Sequence, residues 1–265
     1  MNASVAPGER PPTLLESALK HDRTSALVLL VLVPAVSWIW IVAMARDMYG
    51  SMSGASAWMM TLQWDLPHLL LLWAMWAVMM TAMMLPSASP LLLLYGAAAR
   101  RSAEIARDRH VYALAGGYLA VWALFSLGAT MLQRELSALL LLSPMMEATS
   151  TRTSGALLLL AGLYQFTPLK HACLRACQSP LGFMMTHWRG GWSGALRMGA
   201  AHGVYCVGCC WALMLLLFAG GVMNLVVIAA LTVFVAFEKL APLGVPGARL
   251  SGVALSVAGL SMLLR

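Results

Sequence analysis

Apolar runs of about twenty residues recur along almost the whole of this chain. That is the length a helix needs to cross a bilayer core of about 30 Å. The connections between the runs are short, and none has the length or mixed polarity of a soluble domain. Composition agrees: 61% of residues are hydrophobic and only 10% charged, against roughly a quarter charged in an ordinary soluble domain. The expected fold is all-α, an integral membrane helical bundle with the lipid bilayer as its first partner. A formal net charge of +7 does not argue for nucleic acid, because the cations sit in short loops between apolar runs, where they set membrane orientation.

Residues 1–24 are polar, with Pro7, Pro11 and Pro12, and read as a cytoplasmic N-terminal tail. Residues 25–265 read as a single transmembrane helical domain. The first span covers about 25–45. Ala43-Met44-Ala45 looks like a signal-peptidase site, but the run before it exceeds the 7–15 apolar residues usual in a signal peptide, so a retained helix is expected. Span two starts near Pro67, a residue suited to a first helical turn, and runs to Pro86, beyond which Leu91 to Tyr95 prolong it after a kink. A charged loop from Arg100 to Arg109 leads to span three, about 111–132. Span four covers about 154–172 and contains Thr167-Pro168, a pair suited to cap a fresh helical segment. Ser179-Pro180 repeats the device and predicts a short interfacial helix ending at Gly190-Gly191. Spans five, six and seven follow at about 196–219, 223–241 and 248–264.

Seven spans put alternate loops on opposite sides. Of the 17 Lys and Arg residues, only Arg46, Arg134, Arg152 and Arg265 then fall on one side. Lys and Arg in short loops stay cytoplasmic. The amino terminus is therefore expected inside and the carboxyl terminus outside, in a multi-pass protein of a bacterial inner (plasma) membrane.

The stretch from Tyr164 to Trp211 holds all five cysteines. An odd number of cysteines at three- and four-residue spacings is no secreted disulfide framework and points to metal or redox chemistry. At 100° per residue, His202, Cys206, Cys209 and Cys210 fall within an arc of about 100° on span five, with Met198 and Met214 beside them. Thiolate and thioether ligands suit copper(I), and thiolate with imidazole also suits zinc. Packing is the competing account, since cysteine is a small residue well suited to helix contacts. Cys173 and Cys177 lie four residues apart at the cytoplasmic end of span four, so all five sulfurs can converge beneath the inner leaflet. Alternatively Cys173 and Cys177 belong to a basic surface helix with Lys170 and Arg175, whose cations would lower a thiol pKa.

On span two, His68, Met75, Met79 and Met83 form one stripe from the outer to the inner end, and Met80 and Met84 add a second row. Met44, Met48, Met52, Met59 and Met60 enrich the outer edge in thioethers. Twenty methionines in 265 residues suggest ligands, although methionine is also a flexible core filler. Ionisable groups inside spans carry a functional expectation. Glu238 with Lys239 reads as an interfacial pair, and Asp65 as a polar anchor near His68. No Gly-rich phosphate loop and no Ser/His/Asp arrangement is legible, so nothing marks the chain as an enzyme.

At WAMWAVMMTAMMLPSASP and at YQFTPLKHACLRACQSPLGFMMTHWRGGWSGALRMGAAHGVYCVGCCWALM the chain resembles a bacterial family of domain of unknown function 2182. That family is described as predicted metal-binding integral membrane proteins, some labelled copper chaperones. The resemblance covers about residues 60–242. It implies roles for Met79, Met80, Met83, Met84 and Pro86, for Thr167 to Lys170, for Cys173 and Cys177, and for His202, Cys206, Cys209 and Cys210. The expected function is copper(I) handling, as chaperone, transfer or transport. His68, Met75, Met80 and Met84 would relay the ion toward Met79, Met83 and the cysteines. Handover would go to a cuproenzyme, a metallochaperone or a larger membrane complex. The alternatives are a thiol-disulfide or haem-linked redox subunit, zinc as the metal, and a structural accessory subunit with inert cysteines.

Overall fold

The computed structural model describes residues 28–50, 55–61, 64–101, 107–241 and 244–265. The tail expected over 1–24, Met52, and the centre of the basic loop at 102–106 lie outside the described residues. The described chain is helical almost throughout, and its one β-type contact is an isolated bridge between Leu142 and Ala148.

The described residues form twelve α-helices in order. A π-helical turn, Val28–Leu32, runs into α1 (Val33–Met48), and α2 (Ala55–Met59) is a short turn beside it. α3 (Leu66–Met84) starts where the Asp65 side chain accepts the His68 backbone N–H at 3.1 Å and Pro67 fills the first turn. This is the orphan-donor problem of a helix start solved by a capping carboxylate. At Pro86 the helix tightens into a 3-10 turn, Pro86–Ala88, and resumes as α4 (Ser89–Arg101). α5 (Arg107–Ala138) is the longest element. Then come α6 (Thr151–Tyr164), α7 (Pro168–Gln178), α8 (Pro180–His187) and α9 (Gly191–Met214). α10 (Leu216–Gly220), α11 (Leu225–Leu240) and α12 (Gly244–Leu263) complete the fold.

Among the described residues five stretches are long and apolar enough to cross a membrane: Val28–Met48, Leu66–Met84, Arg109–Ala138, Gly191–Gly220 and Gly244–Leu263. The expected fourth span is broken instead. Thr167 accepts the Lys170 N–H with its hydroxyl at 3.3 Å, and Pro168 opens a new helix. α6 is left with 14 residues, about 21 Å at 1.5 Å per residue. The sixth is short as well: Asn224 caps α11 through the N–H groups of Val226 and Val227, and only 16 residues follow. The Pro180 helix forms as expected, but the Ser179 side chain makes no cap bond.

α3 lies at the centre. Met75, Met79, Met80, Met83 and Met84 are fully buried along it. Trp73 and Trp76 tie it to α5, donating to the Ala123 carbonyl at 2.9 Å and to Gln133 Oε1 at 2.7 Å. α5 also packs along α9, and α6 along α12. The α5–α9 crossing rests on glycine. A Cβ on Gly199 would sit 1.9 Å from the Leu114 carbonyl oxygen, and one on Gly117 would sit 2.0 Å from that of Leu196. Small residues let membrane helices approach closely enough for backbone to touch backbone. Gly199→Val should therefore force the helices apart and cost about 1–3 kcal/mol, or more because the obstruction is backbone. Thermal unfolding in detergent would register the loss, and an unchanged midpoint would contradict this crossing.

Candidate metal centre

α9 supplies the thiols. Its face of one residue per turn buries His202, Cys206, Cys209 and Cys210, all at 4% exposure or less. The local geometry folds the sulfurs back onto the helix: Cys209 and Cys210 both direct Sγ at the Cys206 carbonyl oxygen, at 3.1 and 2.9 Å. α7 packs across this face. Cys177 Sγ stands 4.0 Å from Cys209 Sγ, and Cys177 also neighbours Cys206. Cys173 sits in the notch left by Gly208, where any Cβ would fall 2.7 Å from its sulfur. All five thiols are free.

Cys206 has the richest surroundings. Lys239 Nζ, on α11, donates to Cys206 Sγ at 2.8 Å and to Ser87 Oγ at 3.3 Å, with Met84 Sδ at 3.9 Å. Tyr118, on α5, places its hydroxyl 3.0 Å from the same sulfur and donates to the Met84 carbonyl at 3.0 Å. An ammonium in an apolar interior is tolerable only with partners this close. One position earlier, Glu238 Oε2 pairs with Lys170 Nζ of α7 at 2.7 Å, with side chains 4% and 0% exposed. Two opposite-charge or charge-assisted contacts thus stitch α11 to α7 and α9.

Three expectations are corrected here. Glu238 and Lys239 are not an interfacial pair with each other, since each turns to a different helix. Lys170 and Lys239 are buried rather than loop cations. Lys170 directs its ammonium to Glu238 Oε2 at 2.7 Å rather than to a thiol of α7.

His202 packs its ring against Phe183 and Tyr118, centroids 5.1 and 5.8 Å apart, and its Nδ1 has no hydrogen-bond partner. Met84 reaches the thiol group through Lys239 and Tyr118. Met75, Met79, Met80 and Met83 line the buried length of α3. His68 lies at the far end of that helix, sixteen residues from Met84, or about 24 Å along the axis. Among the described residues no three His, Cys, Asp or Glu side chains converge on a position where they could hold a metal ion. Tyr118 and Ser87 were not singled out from the sequence, Lys170 stood out only as part of the Thr167 to Lys170 motif, and Glu238 with Lys239 read as an interfacial pair. The available signal was the presence of two ionisable residues at the end of an apolar run.

The fold and this buried group of thiols and ammonium define a polytopic all-helical protein suited to a membrane, with its polar chemistry held inside the bundle. Residues 73–262 match the PpoB2 family, described as a copper chaperone, and the chain belongs to that family. The match agrees with the resemblance carried by the methionine and cysteine motifs, and it extends past residue 242 through α12. No curated protein and no solved structure matches the chain.

Proposed function

We propose that this chain handles copper(I) in a bacterial inner membrane, taking the ion onto the thiols between α7 and α9 and passing it to a cuproenzyme or metallochaperone. The observation that carries the reading is the 4.0 Å separation of Cys177 Sγ and Cys209 Sγ across two helices. Metal–thiolate bonds near 2.3 Å, as zinc makes, let one ion join sulfurs up to about 4.6 Å apart. Soft sulfur donors favour copper(I), and the family is described as a copper chaperone. Cys206 and Cys210 stand ready as exchange partners, with His202 and Met84 at the margin. Met79 and Met83 continue the thioether path along α3, with Met75 and Met80 as further steps. In this reading α6 with α7, and α11, complete seven crossings, with the amino terminus inside and the carboxyl terminus outside.

Lys239 has a defined part in the cycle. Its ammonium donates to the Cys206 sulfur at 2.8 Å, and a metal cation binding that sulfur would take its place. Ser87 Oγ remains within 3.3 Å to receive the displaced group.

The test is metal counting. Purified, reduced protein loaded anaerobically with copper(I) should lose at least one equivalent per chain in Cys177→Ser/Cys209→Ser, a variant that leaves the Lys239–Cys206 contact in place. Equal stoichiometry would overturn the proposal. The same 4.0 Å pair favours a second reading, thiol–disulfide exchange. Loss of two titratable thiols on mild oxidation, with no bound copper, would select it.

A further inference from the structure

At the opposite end of α3 from the thiols lies a cavity of about 140 Å³. It is enclosed by α2, the first turn of α3, the end of α5 and the loop after it. The thioether residues Met59, Met60 and Met146 line it together with His68 and Ser143. His68 is 1% exposed, and its two ring nitrogens have different fates. Nε2 lies 3.3 Å from the Met59 carbonyl oxygen. A carbonyl can only accept, so Nε2 carries the proton and Nδ1 the lone pair. That Nδ1 is buried without a partner, and so is Ser143 Oγ. A buried acceptor with nothing to accept from costs free energy unless a ligand fills the role.

An imidazole that donates one nitrogen to a backbone carbonyl and leaves the other bare is the arrangement seen when histidine binds a metal. The indoles of Trp64 and Trp58 lie tilted against the ring, centroids 5.3 and 6.4 Å away. The other soft donors are thioethers, and among the described residues no carboxylate or thiolate lines the cavity. Imidazole with thioether excludes hard cations and suits a soft monovalent one. Met146 is further held at φ 59°, and Leu140 in the same cavity wall at φ 58°. Left-handed backbone is uncommon for such residues and gathers at ligand clamps.

The geometry points to a second copper(I) site here, made by His68 Nδ1 with the sulfurs of Met59, Met60 and Met146. It would be the place where the ion first enters the bundle before it meets the buried methionines of α3. Met59, Met60 and His68 precede the segment matched to the family, and Met146 lies within it. As an entry point it rests on the copper(I) reading above, but its existence is tested separately.

Two backgrounds separate the sites. With all five cysteines replaced by serine, the full chain should still bind one silver(I) or copper(I). X-ray absorption should show nitrogen and sulfur neighbours, and zinc should not compete. In the wild-type background, His68→Gln and Met146→Leu should each weaken one equivalent at least tenfold while the thiol-bound metal remains. Glutamine can still donate to the Met59 carbonyl, so packing at α2 is kept. Full stoichiometry and affinity in both His68→Gln and Met146→Leu would overturn the site, whether or not the cysteine-free chain folds. Loss of metal only in Cys177→Ser/Cys209→Ser would leave the thiol reading standing and remove this one. The reverse pattern would do the opposite.

Discussion

Glu238→Ala should cost the fold about 3–5 kcal/mol, the usual penalty for removing one member of a buried ion pair. The reason lies with the partner left behind. Lys170 has a side chain at 0% exposure, and its ammonium meets Glu238 Oε2 at 2.7 Å. Without that carboxylate the charge has neither water nor a counter-ion, and an unpaired buried ammonium is among the most expensive groups a protein can hold. The backbone nearby would not collapse, because Gln178 Nε2 donates to the Glu238 carbonyl rather than to its side chain. Lys170→Met/Glu238→Leu should therefore recover most of the loss, as apolar replacements of whole buried pairs commonly do. Unfolding midpoints in detergent for the two single variants and the double one close the cycle. A double variant as unstable as Glu238→Ala would show that the pair is not the origin of the cost.

The same two residues explain what could be read from the sequence and what could not. Apolar run length placed the helices, and local capping chemistry placed their starts, as at Asp65-Leu66-Pro67 and Thr167-Pro168. Run length counted α6 and α7 as one span, and the Thr167-Pro168 cap marked the break without saying that α6 would be left too short to cross alone. Helical periodicity put His202, Cys206, Cys209 and Cys210 on one face, and that face is buried. Periodicity carries no information about which helix covers it.

Glu238 and Lys239 show the consequence. Adjacent opposite charges invite pairing with each other, yet successive helical residues diverge by about 100° and do not face one another. Glu238 turns to α7 and Lys239 to α9. The cavity at His68 was hidden for a related reason. Its wall comes from a loop in which Leu140 and Met146 take left-handed backbone angles, and neither residue type announces such a conformation.

Among single cysteine substitutions, Cys206→Ala should be the most damaging, at roughly 3 kcal/mol, the scale for orphaning a charged buried donor. Cys206 Sγ is the nearest acceptor of the Lys239 ammonium at 2.8 Å, and deleting it leaves Ser87 Oγ at 3.3 Å and the weakly accepting Met84 Sδ at 3.9 Å. Cys210→Ala removes a thiol donation to a helix carbonyl and contacts with the neighbouring Cys206 and Cys209 thiols, none of which strands a charge. The order of stability should accordingly be Cys210→Ala above Cys206→Ser above Cys206→Ala, since a serine hydroxyl still accepts from the ammonium. Lys239→Met in the Cys206→Ala background should restore much of the midpoint, because it removes the stranded charge. Equal unfolding midpoints for Cys206→Ala and Cys210→Ala would refute the account. If the order holds, metal assays on Cys206→Ala alone confuse a damaged bundle with a missing ligand. The Cys206→Ala/Lys239→Met pair, stable and lacking the sulfur, is then the variant that reports on copper(I) alone.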